Sequence, residues 1–111
     1  MADFTHDISI AIMINDLPKV REIFPKYDMN TDDGNILIAS SFLGRLEIVK
    51  FLVENGVDRT KYNTALYFAI TSNFIEVVKY LVENGADVNS IDPNSLHGEM
   101  LEYLSEQGLK Y

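Results

Sequence analysis

Apolar and polar positions alternate along this chain with a helical period, and the alternation itself recurs. Leu46, Val49, Leu52 and Val53 fall at i, i+3, i+6 and i+7, on one helical face. Ile48 and Phe51 widen that stripe over most of the circumference, so the helix has to be covered on several sides. The string Leu46-Glu-Ile-Val-Lys-Phe-Leu-Val-Glu-Asn-Gly56 then returns, 29 residues later, as Ile75-Glu-Val-Val-Lys-Tyr-Leu-Val-Glu-Asn-Gly85. A near-copy at a fixed interval predicts stacked units, each burying its faces on its neighbours.

The 29-residue register reaches back to the start of the chain. Leu17, Leu46 and Ile75 share a column, as do Val20, Val49 and Val78, and Ile23, Leu52 and Leu81. Upstream, Ile8, Leu37 and Leu66 align, and so do the small residues Ala11, Ser40 and Ala69. The expectation is three units, about 6–33, 35–62 and 64–91, each a pair of short helices. The stretches 8–14 and 36–38 are rich in β-branched residues and by themselves suit strands. Their register with Thr64-Ala-Leu-Tyr-Phe-Ala69 selects helix.

Punctuation supports this reading. Gly56 and Gly85 stand where the second helix exits through a left-handed residue. The first unit has Tyr27 in that column and Pro25 just before it, so its helix must end sooner and differently. Asn73-Phe-Ile-Glu76 reads as a capping box, with Gly44 and Glu47 in the same two columns. Beyond the third unit, Glu99, Leu101, Tyr103, Leu104, Glu106 and Gly108 repeat Glu76, Val78, Tyr80, Leu81, Glu83 and Gly85 at an offset of only 23. Much of a first helix is missing there. A lone helix within about 93–111, with Glu102, Ser105 and Glu106 outward, should cap the stack.

Composition narrows the function. The 111 residues suit one small domain, and 47% apolar content suits a folded one. Seventeen acidic against nine basic side chains leave a net charge of −8. That disfavours nucleic acid and anionic membranes, and favours a partner with a basic patch. With no cysteine, disulfides, thiolate metal sites and a cysteine nucleophile are excluded. So small a chain without staples points to a reducing, cytoplasmic setting. The run 8–14 follows Asp3 and Asp7, unlike a signal peptide, and is too short to span a bilayer.

These residues resemble ankyrin repeats. Thr64-Ala-Leu-Tyr-Phe-Ala69 stands where the family has Thr-Pro-Leu-His-x-Ala. Phe74-Ile-Glu-Val-Val-Lys-Tyr-Leu-Val-Glu-Asn-Gly-Ala-Asp-Val-Asn89 follows the family's second helix and exit loop. The family period is about 33 residues, so each unit here is about four shorter. The loss falls between Gly56 and Thr64, where the family forms a protruding β-hairpin finger. The resemblance therefore implies an all-α solenoid of three helix pairs plus a C-terminal capping helix, with shortened or absent fingers. The family's Pro column holds Asp7, Ile36 and Ala65, and its His column Ser9, Ile38 and Tyr67, so its Thr–His hydrogen bonding is unavailable. Shortened repeats of this kind look similar to those of giant DNA viruses and some protists.

Ankyrin repeats bind proteins, and the resemblance implies contact through a concave face of first helices and finger tips. The exposed first-helix ends would be Met13 and Ile14, Phe42 and Leu43, and Thr71 and Ser72. Arg59, Lys61 and Tyr62, in the second connector, would form a polar-aromatic rim. The expected function is a small adaptor or inhibitor, monomeric rather than oligomeric; the alternative is a self-associating structural unit. Leu81 followed by Asp87-Val88-Asn89 resembles the context in which ankyrin asparagines are hydroxylated. Nothing points to catalysis, metal or cofactor. His6 and His97 belong to opposite ends of a linear stack, and Asp3 and Asp32-Asp33 read as a solvated cap edge.

Overall fold

The computed structural model describes residues 4–27 and 35–110. Asp3, the Asp32-Asp33 pair and the end of the first unit lie outside these residues. The described chain forms seven α-helices: α1 (Thr5–Met13), α2 (Leu17–Ile23), α3 (Asn35–Phe42), α4 (Leu46–Glu54), α5 (Tyr62–Thr71), α6 (Ile75–Glu83) and α7 (Gly98–Glu106). No strand occurs among the described residues, and the β-branched first helices are helical in all three units. Their neighbours, not their propensity, decide this. Ile8, Leu37 and Leu66 are fully buried at one register position.

Two layers run along the stack. First helices α1, α3 and α5 pack side by side, and second helices α2, α4 and α6 pack behind them. The apolar α4 is covered by α3 in its own unit and by α2 and α6 in its layer. Ile48, Val49 and Leu52 are accordingly sealed from solvent. A ladder of cations over rings joins the second helices: Arg21 over Phe51, Lys50 over Tyr80 and Lys79 over Tyr103, at 5.3, 5.9 and 5.7 Å. Each contact is worth about 0.5–1 kcal/mol at an exposed site. The last rung puts α7 in the fourth second-helix place.

Every helix pair turns on the same hydrogen-bond motif. Asn15, Gly44 and Asn73 adopt φ of 60°, 71° and 62°, the left-handed conformation that reverses the chain within two or three residues. The following amide then reaches back to the helix: Asp16 N to Ala11 O, Arg45 N to Ser40 O and Phe74 N to Ala69 O, at 2.8–2.9 Å. Asn73 is therefore not the start of a capping box. It ends α5, and Phe74 takes the N-cap position of α6 without a side-chain cap. A left-handed residue one position earlier cannot also place its side chain over the next helix's first amides.

The second helices exit as their glycines require. Gly56, Gly85 and Gly108 have φ of 87°, 110° and 103°. The next residues, Val57, Ala86 and Leu109, are buried and bond back to Leu52 O, Leu81 O and Leu104 O. In the first unit α2 instead tightens into a 3-10 turn, Phe24–Lys26, and Tyr27 continues extended at φ −89°. Among the described residues, the fingers after the second and third units are reduced to the 3-10 turns Arg59–Lys61 and Val88–Ser90. Asp58 and Asp87 start these turns by accepting the amides of Thr60 and Asn89, each at 2.9 Å.

Candidate partner-binding face

The expected site residues fall into three groups, not one. Met13, Phe42 and Thr71 share a column near the C-terminal ends of α1, α3 and α5, and all three are exposed. Met13 is 57% and Phe42 49% solvent-accessible, unusual for large apolar side chains. Ile14, Leu43 and Ser72 occupy the next column and behave differently. Ile14 is 65% exposed, whereas Leu43 and Ser72 are half-buried. Positions in this column face the preceding first helix, which α1 lacks among the described residues. Ile14 lines a shallow N-terminal groove with Asp7, Ile10, Asp16 and Lys19 and does not join the open face.

Arg59, Lys61 and Tyr62 lie at the other end of the first helices. The ten residues of α5 separate them from Thr71 by about 15 Å. Tyr62 is no rim residue: it opens α5 and is buried in the core. Its place one residue after a 3-10 turn made it look like a connector. Arg59 is exposed, and its guanidinium leans towards the exit of α6, with Nη2 only 3.0 Å from where a side chain on Gly85 would begin.

Two side chains extend the Met13–Phe42 column and were not anticipated as site residues. Phe68 meets Phe42 edge-to-face at 6.0 Å, and Tyr67 meets Phe68 at 5.3 Å. Tyr67 is 52% exposed, whereas Ile10, also exposed, lines the N-terminal groove with Ile14. The signal was available: positions three and four before an exposed helix end share its face. The strip is thus apolar and aromatic, and electrically neutral at its centre. None of α1, α3 and α5 contains Lys or Arg, and Asp7 is their only acidic residue. The second-helix face carries the charge instead, in Lys50–Glu47 and Lys79–Glu76 pairs of 3.6 and 3.9 Å.

Asn89 is exposed but engaged. Its Oδ1 accepts the Lys110 amide at 3.0 Å and its Nδ2 donates to Gly108 O at 3.4 Å, tying the third exit loop to the end of the cap. His6 lies in α1 and His97 precedes α7, at opposite ends of the stack. Among the described residues no group of His, Asp and Glu is arranged to hold a metal ion, and no helix is long and apolar enough to cross a membrane.

A search of curated proteins found no match to the chain. The family profile for ankyrin repeats (3 copies) matches residues 8–92, spanning all three helix pairs and their shared turns. Members of this family are generally non-catalytic modules for protein–protein interaction. With the profile covering most of its length and the repeated helix pairs observed, the chain belongs to the ankyrin-repeat family.

Proposed function

We propose that this protein is a small adaptor or inhibitor that captures a partner protein on its first-helix face, in a cytoplasmic setting. One observation carries the reading: Met13, Phe42 and Tyr67, on three successive first helices, are each about half or more exposed. Burying such side chains in a partner is favourable by about 1.5–3 kcal/mol apiece, enough for a few anchors to dominate binding. With stunted connectors, the first helices themselves supply the grip. Net charge of −8 favours a partner whose contact surface is ringed by basic residues, which accelerates encounter at low salt.

The test is affinity capture from native cells, read by mass spectrometry, with Met13→Arg/Phe42→Arg beside the wild type. Both side chains are exposed, so helicity should be unchanged by circular dichroism. Loss of the captured partner, with retention by Arg59→Ala/Lys61→Ala, is the expected result. A partner retained by the double arginine variant places the site elsewhere. For Asn89 the modification reading rests on sequence context, and an intact-mass measurement of native protein lacking an extra oxygen removes it.

A further inference from the structure

The fourth place in the first-helix layer is only partly filled. α7 repeats the second-helix pattern at an offset of 23 instead of 29, and the residues lost are those of a first helix. In their place runs the short segment 91–97 with the 3-10 turn Pro93–Ser95, around which Ile91 and Leu96 are buried. One column records the consequence. Ile12 and Ser41 are 1% and 0% exposed beneath a following first helix, while Ile70, on α5, is only half-buried. A groove of about 560 Å³ opens there, between Tyr67, Ile70, Thr71 and Asn73 on one side and residues 95–100 on the other. Its volume lies within the roughly 300–1,000 Å³ of ordinary ligand clefts.

We propose that this groove seats one helix of a partner protein, standing in for the missing first helix, with aliphatic residues at i, i+3 and i+7 and Lys or Arg in its last turn. The site continues an interface already made twice, α1 against α3 and α3 against α5. The columns exposed on α1 as Asp7, Ile10 and Ile14 are buried or half-buried on the later helices, as Ile36, Ala39 and Leu43 and as Ala65, Phe68 and Ser72, at that spacing. A second copy of this chain does not fit the place. Its α1 comes packed on α2, and the position α2 would need is already held by α7, with Tyr103 beneath Lys79. That α1 would also present Asp7 where Ile36 and Ala65 stand.

Charge defines the end of the incoming helix. Glu47 and Glu76, at the starts of α4 and α6, each pair with a lysine three residues on. At α7 the same two columns hold Glu99, which lines the groove, and Glu102. A first helix ends where its second helix begins, so the last turn of the guest lies beside Glu99, the carboxylate that lines the groove. A cation there is also favoured by the guest's own helix dipole.

The probe is a helix-stapled peptide with the sequence of α3 and two C-terminal lysines, titrated into the ¹⁵N-labelled full chain. Saturable shifts at Ile70, Thr71, Gly98 and Glu99 are expected. Thr71→Arg, at an exposed position, should weaken binding about tenfold or more, while Phe42→Arg leaves it unchanged. Replacing the terminal lysines by glutamates should weaken binding, and Glu99→Lys should reverse that preference. Shifts centred on Met13 and Phe42, indifference to Thr71→Arg, equal binding of both peptide tails, or no saturable shifts would each overturn the proposal. Tyr67 and Thr71 border both surfaces, whereas Phe42 lies only on the capture face and Glu99 only in the groove, so Phe42→Arg and Glu99→Lys keep the failure of one reading distinct from that of the other.

Discussion

The two junctions between full repeats solve one problem in two ways. Arg45 and Phe74 occupy the same column, each just after a left-handed turn. Arg45 reaches back across its junction and donates from Nε to Ile12 O at 3.1 Å and from Nη2 to Met13 O at 2.7 Å. It thereby caps Met13 O and adds a second donor to Ile12 O, which already accepts the Asn15 amide, with a cation at the negative end of that helix. Phe74 instead lays its ring over the turn that ends α3. A Cβ on Gly44 would stand 2.5 Å from that ring. The first junction is polar and directional; the second is apolar and needs a bare backbone. Backbone equivalence along a solenoid thus coexists with unlike interface chemistry, and nearest-neighbour coupling need not be uniform.

Leu52 tests what the junctions share. It is fully buried in α4, which packs against both α2 and α6. Leu52→Ala should cost about 2–5 kcal/mol, a loss comparable to the whole stability of a small domain, visible as a collapse of the urea midpoint. Gly44→Ala strikes only the second junction. Left-handed strain of about 1–2 kcal/mol adds to about 1–3 kcal/mol of crowding against Phe74. In a Phe74→Ala background only the strain should remain; additive effects in the double-mutant cycle would show that the ring is not the obstacle.

Arg45→Met keeps the stem and removes the donors, and should cost about 1.5–3 kcal/mol at the first junction. Hydrogen exchange should then loosen α1 and α2 while α5 and α6 stay protected. Uniform loosening would mean that the two junctions are not energetically separate. The smallest effect concerns the stunted connector. The amide and hydroxyl of Thr60 hold the Asp58 carboxyl below its usual value of 3.8. A lowered folded value means that this contribution is present above pH 3.8 and is lost as pH falls through the folded value. Asp58→Asn should therefore flatten a shallow part of the stability profile at the acid end, measured by denaturant titration.

Much of this molecule was legible because repetition supplies its own internal comparison. Ile23, Leu52 and Leu81 all lie in the core as their shared column demands. The glycine exits are left-handed, and the shortened period leaves 3-10 turns instead of hairpins. What failed to read correctly were residues whose role depends on the neighbouring unit. Asn73 resembled a cap because Glu76 follows it at the right distance, yet the tight turn needed its backbone more than its side chain. Tyr62 looked like connector, but the first turn of α5 carries it into the core. Met13 and Ile14 are adjacent in sequence and part company in space, because one faces outward and the other lines the groove between α1 and the start of α2.

By itself the sequence determined the architecture: a 29-residue period, two helices per unit and a shortened last unit. Those features follow from a periodicity and a turn chemistry that recur in register, so that one unit can be read against the next. Only the tertiary structure decided which apolar side chains remain uncovered. Exposure belongs to pairs of helices, not to positions on one. The same column is sealed between two repeats and open at the edge of the stack, as Ile12 and Ile70 show.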